Sequence, residues 1–401
     1  MDGAEIDDGE QDAPTAPSPL SRRLVSLYLM TALFSLGYGG IYTLLADIRD
    51  RFGFSDAGVG LIAFAGFATG FTSQVFLSRY ADRGHTMRMM RIGIALATLG
   101  MAAMAVTGPL WQWIGARLVI GLGTGMVTPA IRRLVIAHDP RDVGRNLGRQ
   151  TAFDVAGFVL GPVIAAIAAQ ALGLRAPFAI LAVLYAVALL SVGRLAIDAG
   201  EATTSRRAVR DLIRRPSVQS ALAAAIAFYL TIGMFESLWS VLLRDLGAAT
   251  WLIGATLSIF TIPMIIFAPR GGALAQRRGP ATVITVSITV AAVCTAIYGF
   301  APLWLAIVVS GVHAISDGFT MPSNQVAVAI ASPPDQLATG QGLLGATGLA
   351  VAAIASLAGS WVYDSMGRPQ VFVGTAALML VFVALARWRW HVGRREAIAH
   401  P

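Results

Sequence analysis

Residues 24–46, LVSLYLMTALFSLGYGGIYTLLA, run for 23 positions without a charge. At 1.5 Å of rise per residue, roughly 20 apolar residues cross the ~30 Å hydrocarbon core of a bilayer, so this stretch alone is long enough to span. Residues 58–78, 92–116, 176–193, 246–269, 279–312, 337–363 and 369–386 are equally free of charge. Two of these runs are long enough to hold a break. Gly108-Pro109 interrupts one and residues 299–302 (Gly-Phe-Ala-Pro) the other, because proline removes a backbone donor and glycine favours a turn. Segments carrying one or two embedded charges near 110–131, 150–171, 217–243 and 303–329 bring the expected total to twelve transmembrane helices.

Composition agrees. Of the 401 residues 56% are hydrophobic and 13% charged, with a mean hydropathy of +0.68; that is too apolar for a globular domain with a wetted surface. The first twenty residues are acidic and proline-rich, without a basic stretch before an apolar core, which predicts a disordered tail rather than a cleavable signal peptide. Cys294 is the single cysteine, which excludes disulfides, thiolate zinc sites and cysteine-based redox chemistry. There is no Gly-rich Lys-Ser/Thr phosphate loop and no His-Glu-x-x-His. No cofactor and no metal are therefore expected, and an ion gradient rather than ATP is the expected energy source.

The net charge of +8 is set by arginines whose placement follows topology rather than a nucleic-acid footprint. With the N-terminus inside, 24 of the 30 basic residues fall in segments on the cytoplasmic side, including Arg132 and Arg133; five fall outside, and Arg117 lies within a helix. This positive-inside asymmetry places both termini in the cytoplasm. Residues 194–216 are polar and Arg-rich, and they divide the chain into two six-helix bundles, 21–193 and 217–390, flanked by an acidic tail (1–20) and a cytoplasmic tail (391–401). A repeat supports the division. Ser78-Arg-Tyr-Ala-Asp-Arg-Gly follows the second segment and Gly272-Ala-Leu-Ala-Gln-Arg-Arg-Gly the eighth, so that Asp82 and Gln276 stand 194 residues apart. Parallel six-helix repeats with a substrate site between them are a common transporter plan.

On these motifs the chain resembles the major facilitator superfamily over residues 21–390. Ser78–Arg88 is similar to the family's loop between helices two and three, departing from it in Ser78, in Tyr80 and in Gly84 directly after Arg83. A tight turn there holds two helices close, and Asp82 is placed to accept from a neighbouring helix N-terminus or from an arginine. In the second copy Gln276, followed by Arg277, replaces the acid, which predicts weaker charge gating in the C-terminal half. Arg117, with Gly121 and Gly123, resembles the family's fourth-helix arginine motif. A cation at helix-centre depth costs at least ~2.5 kcal/mol, so Arg117 faces a partner or a wet cavity, or it snorkels to the outer surface. Gly148, Gly157, Gly161-Pro162 and Ala165-Ala166 resemble the fifth-helix antiporter motif of exporters, with Ala-Ala in place of a closing Gly-Gly. Small residues on one stripe, with a proline bend, suit an interface that rocks.

Acids and a histidine inside the membrane mark the candidate coupling site: Asp154, Glu236, and His313 with Asp317, four residues apart on one helical face. Each is costly in lipid, so an inward orientation is the default; the plain alternative for His313 and Asp317 is a structural pair locking helix ten, and for Glu236 a place near the outer mouth with only a gating contact. Histidine beside a carboxylate suits proton coupling near neutral pH. Tyr38, Tyr42, Gln74, Tyr229, Trp239 and Asn324 are candidate cavity residues, while Trp111, Trp113, Trp304, Trp388 and Trp390 sit at segment ends as interfacial anchors. The expected function is a secondary transporter, not an enzyme, that works by alternating access as a proton-coupled exporter of small amphipathic or toxic molecules. Nutrient uptake by proton symport and lipid flipping on the same fold remain the alternatives. The expected partners are a small-molecule substrate, protons and membrane lipid; the expected setting is a monomer in a bacterial cytoplasmic membrane.

Overall fold

The computed structural model of the chain describes residues 22–192 and 208–399. Twelve long helices carry the fold: α1 (Arg22–Phe52), α2 (Asp56–Phe76), α3 (Thr86–Val106), α4 (Leu110–His138), α5 (Val143–Leu172), α6 (Ala176–Val192), α7 (Pro216–Asp245), α8 (Thr250–Arg278), α9 (Pro280–Tyr298), α10 (Leu303–Ala331), α11 (Leu337–Met366) and α12 (Arg368–Ala399). No strand occurs among the described residues. Nine segments of those residues are long and apolar enough to cross a bilayer unaided, one of which, Gly58–Val106, is α2 and α3 together. The remaining two of the twelve are α6, which is apolar but 17 residues long, and α8.

The breaks fall where backbone chemistry demands them. Pro109 and Pro302 stand as extended caps before α4 and α10. Pro216 and Pro280 open α7 and α9, where a missing N–H leaves nothing unpaired. The two copies of the repeated loop turn on Gly84 (φ +78°) and Gly279 (φ +86°), the left-handed region that a side chain would strain.

Packing repeats with the sequence. In the N-terminal half α1 packs on α5, α4 on both α2 and α3, and α3 on α6. The C-terminal half repeats each pairing, α7 with α11, α10 with α8 and α9, and α9 with α12. Between halves α5 meets α8, and α11 meets α2, so the contacts across the interface are paired in the same way. This is the twelve-helix arrangement of two six-helix bundles.

Residues 1–20 and 194–207 of the expected tail and linker lie outside the described residues. Beyond them a short helix, Ala208–Arg214, packs Leu212 against the start of α7 and the facing ends of α10 and α11. α12 continues through residue 399, along the segment expected as a C-terminal tail. Trp113 corrects an expectation. It is no interfacial anchor but is fully buried, edge-on to Phe52 and Phe178 at 5.4 and 5.7 Å. Trp111, Trp304 and Trp388 are exposed, as anchors require.

Candidate functional site

A cavity of about 680 Å³ opens between the halves, walled chiefly by α1, α4, α5 and α7. Five of the six residues expected there line it: Tyr38, Tyr42, Gln74, Tyr229 and Trp239. Asn324 does not, and is buried within α10. Two of the expected acids face the same space. Asp154 on α5 accepts a hydrogen bond from Ser35 Oγ of α1, and Glu236 on α7 is exposed to the cavity. The cavity's cation is Arg132, a residue that the charge count places in a cytoplasmic loop. α4 extends to His138, so Arg132 and Arg133 are helical and buried, at 6% and 2% exposure. A run of two arginines beside a loop reads as loop charge in sequence; only the helix's phase shows that one faces the cavity and the other its neighbour. Gln150, Thr151 and Gln325 also line the floor, and Thr151 Oγ1 donates to Gln325 Oε1 across the halves at 3.3 Å.

Arg117 does not snorkel. It is fully buried and donates to the Ile62 carbonyl and to the Tyr42 hydroxyl, each at 3.3 Å, with its guanidinium 5.7 and 5.6 Å from the Tyr38 and Tyr42 rings. Both rings line the cavity, so Arg117 lies behind an aromatic layer of its wall. His313 Nε2 and Asp317 Oδ1 stand 3.7 Å apart on one face of α10, beyond hydrogen-bond distance. They lie inside the C-terminal half and not on the cavity wall; Phe235, Phe260 and Tyr298 surround the imidazole, and the Tyr298 hydroxyl is 3.3 Å from Nδ1. Phe235 also lines the cavity, so one aromatic ring separates the two residues from it.

Below the cavity, at the arginine-rich end, the halves are joined. Asp82 is fully buried and accepts from Arg133 Nη1 at 2.7 Å, from the backbone N–H groups of Ala338 and Thr339 at 2.8 and 2.7 Å, and from Thr339 Oγ1 at 2.7 Å. The carboxylate therefore sits on the N-terminus of α11, where peptide dipoles favour an anion. Gln276 makes the matching contact on the other side: Oε1 accepts from Gly144 N–H at 2.6 Å and Nε2 donates to the Arg141 carbonyl at 2.8 Å, at the start of α5. Arg83 lies over the Tyr80 ring at 5.6 Å, Gly84 makes the turn, and Arg277 is exposed.

The small residues of α5 divide between two neighbours. Gly148 faces Ala268 and Pro269 of α8, and Gly144 faces Gly272, across the halves, with no room for a Cβ. Gly157 and Gly161 press instead on the α1 backbone at Ala32 and Leu36, within the N-terminal half. Pro162 stands just over one turn past Gly157, beside Gly39 of α1. Among the described residues no three His, Cys, Asp or Glu side chains gather to hold a metal.

This geometry, two pseudo-equivalent bundles closed at one end over an acid-bearing cavity, is matched by the sequence profile of the Major Facilitator Superfamily over residues 27–235 and 221–399. The chain belongs to the major facilitator superfamily. It is a multi-pass membrane transporter. The multidrug resistance protein MdtG of Salmonella paratyphi A is 25% identical over 356 residues, covering 84% of this chain and 86% of that protein. MdtG of Dickeya zeae is 25% identical over 263 residues, 62% of this chain and 64%, under two thirds, of its own length. Among solved structures, the human organic anion transporter MFSD10 superposes with a TM-score of 0.78 at 17% identity, covering 92% of this chain and all of that one. The E. coli fucose:proton symporter FucP gives 0.77 at 16% identity, covering 91% and 98%. These two share the fold.

Proposed function

We propose that the protein is a proton-coupled antiporter that exports small amphipathic molecules by alternating access, seen here with its cytoplasmic gate closed and its cavity open to the outside. The observation that carries this is the cavity itself. It is mostly aromatic and apolar yet holds two carboxylates, Asp154 and Glu236, in a membrane-spanning region. Apolar walls take an amphipathic body, and a carboxylate that is hydrated in one state and enclosed in the other changes its proton affinity between them. The arginine-rich end is assigned to the cytoplasm by the positive-inside rule, which places the closed gate inside the cell and both termini with it. MdtG being named for multidrug resistance supports the export direction. The protein acts as a monomer in a bacterial cytoplasmic membrane.

The coupling proton is carried by Asp154 or by the His313–Asp317 pair, with Glu236 next. Asp154→Asn and Asp317→Asn keep size and most hydrogen bonding but cannot titrate. In proteoliposomes with an imposed pH gradient, one of them should abolish gradient-driven export of an amphipathic dye while leaving dye binding intact. Wild-type rates and pH-gradient dependence in both variants would remove both acids as the coupling site and point to Glu236. Gradient-independent movement by the wild-type protein would sink proton coupling altogether.

A further inference from the structure

A second cavity, of about 380 Å³, lies on the flank of the C-terminal half among α8, α9 and α10 and shares no lining residue with the transport cavity. Val286, Val312 and Ile315 on its rim are exposed, so it opens sideways, toward whatever surrounds the apolar belt. The polar atoms of its floor are already taken. Ser316 Oγ donates to the Ser287 carbonyl at 2.5 Å, Thr320 Oγ1 to Ser287 Oγ at 2.8 Å, and Ser287 Oγ to the Ile284 carbonyl at 3.3 Å. An occupant therefore meets hydrocarbon along most of the groove.

One charged side chain lines it, Arg278, the last residue of α8, and no acid does. Arg278 is exposed at the arginine-rich end, where the chain turns at Gly279 into α9. From Thr282 to Val290 the groove follows nine residues of α9, about 12 Å of helix from the first to the last, close to the ~15 Å of hydrocarbon in one leaflet. A cation at headgroup level above an apolar slot one leaflet deep is complementary to one molecule class, an anion on a hydrocarbon chain.

We propose that this groove is a binding site for an anionic phospholipid of the cytoplasmic leaflet, with one acyl chain along α9 and α10 and the phosphate at Arg278. The site is independent of the export reading, since it is separate from the transport cavity. A phosphatidylglycerol probe with a diazirine near the end of one acyl chain tests it, at trace level in phosphatidylcholine vesicles holding the full-length protein. Photolabelling mapped by peptide mass spectrometry should favour α9 and α10 peptides over the exposed α6 face (Val183, Val187) by about fivefold, the preference one arginine near an anionic headgroup supplies. Arg278→Gln should remove that preference, and Val290→Trp, which fills the groove, should lower labelling there with either arginine or glutamine at 278. Four outcomes would overturn the proposal: equal labelling of α6 and the groove in the wild-type protein, equal groove labelling by a phosphatidylcholine probe, no effect of filling the groove, or crosslinks between copies of the chain through α9.

Discussion

Asp82 and Gln276 stand at matching positions 194 residues apart, and each reaches across the interface to the N-terminus of the other half's fifth helix. The repeat preserved that geometry and let the chemistry diverge. At Asp82 a buried carboxylate collects four donors, one of them an arginine; at Gln276 a half-exposed amide trades one bond each way. Removing one partner of a buried ionic group costs about 3–5 kcal/mol, whereas a neutral hydrogen bond contributes about 0.5–1.5 kcal/mol. Glycine packing is common to both sides of the proposed gate, with Gly144 against Gly272 and Gly148 against Ala268 on one and Gly342 against Gln74 and Ser78 on the other, so the difference between them is electrostatic and lies on the Asp82 side of the pseudo-two-fold axis.

The largest effect should come from breaking the charged side. Asp82→Ala deletes all four acceptor bonds, and the equilibrium between gate-closed and gate-open states should move toward open by roughly 10²–10³-fold, the factor that corresponds to 3–4 kcal/mol. Spin labels on residues 88 and 334, at the arginine-rich end on opposite halves, read this as a shift from a short distance to a long one. An unchanged distance distribution would mean that glycine packing alone holds the gate.

A smaller, two-part effect separates packing between halves from packing within one. A leucine at 272 overlaps the Gly144 backbone across the interface, while a leucine at 157 overlaps the Ala32 backbone inside the N-terminal half. Overpacking costs about 1–3 kcal/mol in either place. Gly272→Leu should open the gate about tenfold or more with little change in melting temperature. Gly157→Leu should lower the melting temperature of the detergent-solubilised protein and leave the gate distance of the folded fraction unchanged. The reverse pattern would put the moving interface along α1 and α5.

Much of this is legible in the sequence because lipid imposes a one-dimensional rule. Charge-free length counts most of the helices, and Gly-Pro pairs and glycine turns set their breaks. Asp82 is readable as an acceptor for a helix N-terminus or an arginine, and it proves to serve both at once. What escapes is rotational phase. Arg132 and Arg133 differ by about 100° around α4, which puts one in the cavity and the other on Asp82; no composition window resolves that. The same blindness joins Gly148 to Gly157 in a single stripe, although nine residues of helix carry them to different neighbours. The spacing of four puts His313 and Asp317 on one helical face, but the aromatic shell that sets them back from the cavity comes from α7, α8 and α9, elements distant in the chain.

The smallest expected effect restores charge to the neutral side. In Gln276→Glu the carboxylate replaces Oε1 as acceptor from Gly144 N–H, at the start of α5, where a helix dipole favours an anion by about 0.3–1 kcal/mol. The same change replaces the Nε2 donor with an oxygen facing the Arg141 carbonyl, so one neutral hydrogen bond of about 0.5–1.5 kcal/mol is lost and two acceptors are left opposed. The terms nearly cancel, and the gate distance distribution should move less than fivefold at neutral pH. Acid exchanges the terms: protonation gives up the anion–dipole gain but supplies a donor for the Arg141 carbonyl and relieves the two opposed acceptors, so the variant's gate should tighten only slightly, by less than about fivefold, as pH falls through the carboxyl range, while the wild-type side, with an amide at 276, does not respond there. Spin-label distances recorded between pH 7 and 4, in a protein that keeps Asp82, isolate that term by subtracting the wild-type titration. A gate in Gln276→Glu that tightens by more than tenfold at neutral pH would show that charge, not the glycine contact, is what the second copy lacks, and that the two sides of the interface are interchangeable.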